Sequence, residues 1–191
     1  MSGRLVVCAI GSAMLSMCAM SSAFAVPALP PQFTWDEIAP GAGWIAPVGI
    51  AFFPGGRMLV AEKGGRVYTV TNNVKSANAL WQMPNDVLDN GDRGLLGIAV
   101  DPRYNGTTNR WIYLMYTVDP DSNTNETNDD AYARLIRVQL SATDSNTVDY
   151  SSRQVLFGQD WRRGPVSASP SHTIGALSWG TDGALFVSIG G

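Results

Sequence analysis

The chain has two cysteines, Cys8 and Cys18, one histidine, His172, and two lysines, Lys63 and Lys75, among 191 residues. Both cysteines fall in the first 25 positions. There Arg4 precedes an apolar run from Leu5 to Met20, and Ser21-Ser22-Ala23-Phe24-Ala25 closes it with an Ala-x-Ala pattern. A positive start, an apolar middle and a small-residue cleavage motif make residues 1–25 a secretory signal peptide. Gly11, Ser12 and Ser16 interrupt the run, which falls short of the roughly 20 apolar residues a bilayer span requires. The expectation is an exported protein, periplasmic or extracellular, with no membrane span in its mature chain. That mature chain has no thiol, which excludes disulfides, thiolate metal sites and thiol catalysis together. Its core must hold it unaided. The scarcity of lysine and a formal net charge of -3 exclude the basic surface that nucleic acid or an anionic membrane would need.

A sustained 3.6-residue period is also missing after residue 26. What is present is repetition. Pro47 to Glu62, Leu96 to Tyr116 and Gly175 to Ser188 each begin with a short alternating strand, turn through Pro or Gly, and continue into a second apolar strand. Aligning Ile50 with Ile98 gives an offset of about 48 residues, the length of one propeller blade. Aligning Ile98 with Leu177 gives about 79, one blade plus an insertion. Arg57–Glu62 and Arg66–Thr71 flank a glycine turn at Lys63-Gly64-Gly65, and Trp111–Val118 pairs with Ala133–Leu140 across a polar loop. The chain reads as all-β: residues 26–42 a linker or N-terminal arm, and 43–191 a partial β-propeller of four-stranded antiparallel blades. At about 45 residues per blade the mature chain supplies three to four blades, fewer than most closed propellers hold. It is therefore expected to be the N-terminal part of a longer propeller, with a small complete β-sandwich as the alternative.

His172 stands in Ser169-Pro170-Ser171-His172-Thr173-Ile174-Gly175, at the start of a strand. A side chain that titrates near neutrality, held at the mouth of a sheet, suits a general base, although a lone loop histidine is more often a surface residue. Its company includes Ile45 to Lys63, then Asn90-Gly91-Asp92-Arg93-Gly94-Leu95-Leu96-Gly97-Ile98-Ala99-Val100-Asp101-Pro102, then Ser171 to Gly190. In that order the motifs resemble the first half of a soluble quinoprotein glucose/sorbosone dehydrogenase, a six-bladed propeller. The resemblance covers about residues 43 to 191. It implies oxidation of an aldose with pyrroloquinoline quinone, followed by transfer to an external electron acceptor. His172 is then the catalytic base that takes the proton of the anomeric hydroxyl, and Asp92 is a substrate-binding residue. Arg93 joins it as substrate-binding because its loop precedes the Gly-Leu-Leu-Gly strand and should face the funnel. The arginines and lysines that hold the cofactor's carboxylates are expected beyond residue 191.

The chain departs from the family pattern at three places. Ser171 stands where the glucose enzymes carry an acid, Asp92 where they present an amide, and Gly191 where an aspartate orients the histidine. These changes leave the sugar open. Since inactive relatives share the fold, a catalytically silent propeller that binds carbohydrate or protein is the rival reading. Asp119 to Asp130 begins like a calcium loop, yet has Thr124 and Asp130 where Gly and Glu belong. It reads as an interstrand loop, with calcium as the weaker alternative. Arg162 and Arg163 beside Asp160 read as a solvated charge pair.

Overall fold

The computed structural model describes residues 30–34, 36–83, 85–121, 131–160, 162–167, 169–171 and 173–190. The signal peptide expected at 1–25 and most of the 119–130 stretch lie outside the described residues. The chain divides into two units, Met1–Asp36 and Glu37–Gly191. In the first, the described residues form a turn in which the Phe33 N–H donates to the Pro30 carbonyl at 3.2 Å.

The second unit is built from three antiparallel sheets. The first holds β1 (Pro47–Phe52), β2 (Met58–Glu62), β3 (Arg66–Thr71), β4 (Val74–Lys75) and β5 (Trp81–Gln82). The second holds β6 (Leu95–Val100), β7 (Trp111–Val118), β8 (Ala131–Leu140), β9 (Val148–Phe157) and β10 (Val166–Ser167). The third holds β11 (Ile174–Trp179) and β12 (Leu185–Ile189). Both β4 and β5 pair with β3, at its two ends, so they make one broken fourth strand. β9 and β10 share β8 in the same way. The first two sheets are thus four strands deep. This is the blade architecture of a β-propeller, and the chain carries part of one.

Local chemistry sets the turns. Asn72 and Asn73 occupy left-handed φ values of 50° and 62° and close a two-residue hairpin between β3 and β4, a conformation asparagine tolerates. In the Lys63-Gly64-Gly65 turn only Gly65 is left-handed, at 88°.

The Gly-Ile repeat is a packing rule. β1 packs on β6, and β6 on β11. A Cβ added at Gly49 would lie 2.9 Å from Ile98 Cγ2, and one added at Gly97 would lie 2.9 Å from Leu177 Cγ. In the first two sheets the glycine therefore makes room for the branched side chain of the next sheet's first strand. Each first strand also slips register near its start, at Pro47/Gly49, Leu95/Gly97 and Ile174/Leu177. Such bulges bend a strand and redirect its side chains, and they concentrate beside functional sites.

The second sheet is covered on both faces. Ile112, Leu114 and Tyr116 join Leu59, Val67 and Trp81 of the first sheet in one core, while Tyr113 and Met115 join Ile174 and Leu177 of the third in another. A strand buried on both sides needs no polar alternation, which explains the apolar run of β7. Full burial of each large side chain contributes about 1.5–3 kcal/mol. On the other face of the first sheet, Ala39, Ala42 and Trp44 pack on Val60, Val70 and Met58. Asn73 ties this segment down, accepting from the Ala39 N–H at 2.7 Å and donating to the Glu37 carbonyl at 3.1 Å.

Candidate active site

The antiparallel order brings the start of β1, the β2–β3 turn, the loop before β6 and the loop before β11 to one end of the sheets. Main-chain bonds record this: Lys63 N–H to Ala46 O (3.0 Å), Leu95 N–H to Lys63 O (2.8 Å) and Asp92 N–H to Pro170 O (2.7 Å). At that end a cavity of about 430 Å³ opens beside β6, β11 and β12, and its lining includes Asp92, Leu96, Thr173, Gly175, Ser188 and Gly190. Leu96 and Gly175 sit at the bulged starts of their strands, so the repeated bulge shapes this wall.

The loop that presents Asp92 is held on both sides. Gly91 has φ +61°, and a Cβ there would lie 2.5 Å from Pro170 O and 2.8 Å from Pro170 Cβ. Gly94 has φ +143°, and a Cβ there would lie 2.6 Å from Lys63 Cγ. Only glycine meets both demands. Besides its bond to Pro170, the Asp92 main chain accepts from the Thr173 hydroxyl at 3.1 Å. Lys63 Nζ donates to the Gly91 carbonyl at 2.5 Å. Gly94 O in turn accepts from the Thr117 N–H at 3.1 Å.

Of the residues singled out from sequence, Asp92 lines the cavity. Arg93 does not. It is 1% exposed, its Nε donates to Ser167 Oγ at 3.2 Å, and its Nη2 donates to Ser167 O. Next to Asp92, it acts as a strut between the loop and β10. His172 lies outside the described residues, as does Gly191. Its neighbours are described: Ser171 is exposed and shares a 3.1 Å contact with the Ser169 hydroxyl, while Thr173 is buried against the Asp92 loop. Arg163 and Asp160 form an exposed ion pair at 3.8 Å. Sequence reasoning missed Thr173, Ser188 and Lys63. Ser188 was detectable from strand alternation; the other two depend on contacts between distant loops.

The cavity wall offers a carboxylate, hydroxyls and main-chain groups, and among the described residues no lysine or arginine lines it. Hydroxyl-rich ligands suit such a wall, because each sugar hydroxyl can donate and accept. Behind the loop, Tyr116 donates to Asp86 at 2.8 Å, and Asp86 also lies 3.5 Å from Arg134 and from Arg153. Burial, then the Asp86 charge, raise the Tyr116 pKa, so this phenol stays neutral at ordinary pH. Among the described residues no group of three or more His, Cys, Asp or Glu is placed to hold a metal. No helix among them is long and apolar enough to cross a membrane.

A family model described as Glucose / Sorbosone dehydrogenase matches residues 45–191. A comparison with curated proteins finds no match. One similar solved structure is a protein from Thermus thermophilus provisionally described as an oxidoreductase (glucose dehydrogenase). It is 26% identical, with a TM-score of 0.58 over 78% of this chain and 38% of that one. Another is the PQQ-bound form of an aldose sugar dehydrogenase from Streptomyces coelicolor. It is 23% identical, with a TM-score of 0.60 over 81% of this chain and 40% of that one, and shows the fold alone. The chain thus spans about two fifths of the length of these structures.

Proposed function

Because the chain belongs to the glucose/sorbosone dehydrogenase family, we propose that it is part of an exported quinoprotein that oxidises an aldose or related sugar alcohol group with pyrroloquinoline quinone. One observation carries the reading: the family match spans 45–191, and the cavity is built from its Asn90–Pro102 and Ser171–Gly190 motifs. When bound, the quinone would accept hydride from the sugar carbon and later yield electrons to an external acceptor. The wall described here does not suit the quinone itself, since its carboxylates call for cations and the described lining has none. That lining supports a division of labour in which this wall faces the sugar and the cofactor's carboxylates are held elsewhere.

In this reading Asp92 accepts a hydrogen bond from a sugar hydroxyl, and Arg93 holds the Asp92 loop from beneath. His172, adjoining Thr173 of the wall, takes the proton of the reacting hydroxyl. Neutral imidazole is suited to that task at ambient pH. Residues 1–25 are removed on export, which sequencing of the mature N-terminus would test.

The deciding experiment compares His172→Gln with wild type in the full-length protein loaded with quinone. Turnover should fall by about 10²- to 10⁴-fold with quinone affinity nearly unchanged. Wild-type turnover in the variant removes His172 from the mechanism. Lost quinone affinity makes it a cofactor clamp instead. A loaded wild-type protein that turns over no aldose favours the catalytically silent propeller.

A further inference from the structure

We propose that Lys63 is a positioning residue that fixes the Asp92 loop from the first blade; the role in substrate binding, though not the tether itself, rests on the function proposed above. Every polar group of Lys63 is engaged, one on the segment before β1 and two on the loop that leads into β6. Its N–H donates to Ala46 O just before β1, its carbonyl accepts from Leu95 N–H at the start of β6, and its Nζ donates to Gly91 O. Its stem closes the other side of the same loop, because the missing side chain of Gly94 is the space that Lys63 Cγ occupies. Asp92 therefore sits between two points held by one side chain.

The other half of the clamp comes from the loop before β11, through Pro170 O and Thr173 Oγ1, and from Ser167 of β10. Bonds thus run without a break from Ala46 through Lys63 and Gly91–Asp92 to Pro170 and Thr173. They join the three sheets at the cavity end. Gly91 makes the tether necessary: a glycine at positive φ would otherwise sample many conformations. Lysine suits the task because a compact ammonium on a long stem can donate to a single carbonyl, and the bond is charge-assisted. Lys63 does not line the Asp92 cavity, so its ammonium is not a substrate contact there.

The test is backbone-amide hydrogen exchange in the wild type, Lys63→Met, Lys63→Gln and Lys63→Arg. Lys63→Met keeps the stem and main chain and removes the donor. The Asp92 and Thr117 amides should then exchange about 10- to 100-fold faster, while the amides of Ile112 to Met115 in β7 and of Leu135 to Val138 in β8 stay unchanged. Lys63→Arg should restore protection, and Lys63→Gln, if Lys63→Met does not fold, should fall between. Unchanged protection at Asp92 overturns the tether. So does equal acceleration throughout the sheets, which would make Lys63 a general stability residue. In preparations that oxidise sugars, Lys63→Met should raise KM more than it lowers kcat. Faster Asp92 exchange with KM unmoved leaves the tether standing and removes Asp92 from sugar binding.

Discussion

Replacing Gly91 by alanine tests whether the Asp92 loop is docked on the loop before β11 or merely lies near it. Gly55→Ala, in the β1–β2 turn, is the matched control. Both glycines have positive φ, +61° and +88°, but a Cβ at Gly55 meets nothing within 4 Å, whereas at Gly91 it meets the Pro170 backbone at 2.5 Å. Gly55→Ala should therefore cost only the left-handed penalty, about 1 kcal/mol. Gly91→Ala carries the same penalty plus an overlap with main chain that no rotamer relieves. The loop must back away from Pro170. That breaks the Asp92 N–H bond at 2.7 Å and lengthens the Thr173 hydroxyl bond at 3.1 Å. At about 1 kcal/mol for each bond, the total comes to about 3 kcal/mol. At about 2–4 °C per kcal/mol, the melting temperature should drop by about 3 °C for Gly55→Ala and about 9 °C for Gly91→Ala. Calorimetry on both variants measures the difference. Equal drops would refute the docking of the loop and the cavity geometry that depends on it.

The opposite end of the sheets gives a pH prediction. Burial works to raise the Asp101 pKa but is outweighed by hydrogen bonds from the Arg103 N–H, Asn109 and Tyr113 and by the Arg103 charge, so the net shift is downward. A lowered folded pKa gives stability that is present above the unfolded value of about 3.9 and is lost as pH falls through the folded value. Acid titration of the melting temperature should show this loss in wild type and a smaller one in Asp101→Asn, while Asp101→Ala, which orphans three donors, should cost about 2–4 kcal/mol at neutral pH. Met115 is fully buried in the core between the second and third sheets. Met115→Ala should cost about 2–5 kcal/mol in chemical denaturation, and a cost under about 1 kcal/mol would mean that the third sheet is not packed on the second.

The first strands of the blades were legible because their signal is local. Gly49-Ile50 and Gly97-Ile98 repeat at blade spacing, and β2, β3, β7, β8 and β12 are apolar runs bounded by turn residues. The fourth strands were not. β4, β5 and β10 have two residues each, too few for any period, and β9 carries Asp149, Ser151 and Arg153 because its position on the blade leaves them in or near solvent. A polar outer strand reads as a loop until β8 supplies its partner.

The site divides along the same physical line. Asp92 was singled out by the resemblance, as the position where the glucose enzymes present an amide to the sugar, and it lines the cavity. Arg93 could not be placed from sequence, because the direction of a loop side chain depends on what receives it. Here the receiver is Ser167, 74 positions away. A guanidinium beside a cavity gains by facing a ligand only if no buried partner competes for it, and Ser167 offers two acceptors in a dry site. Lys63 shows the converse: an ordinary turn lysine by sequence, it gains its role because Gly91 presents a carbonyl within reach and Gly94 leaves room for its stem. The strands follow from the period of the chain. The positions of the site residues follow from which distant loops meet at the end of the blades.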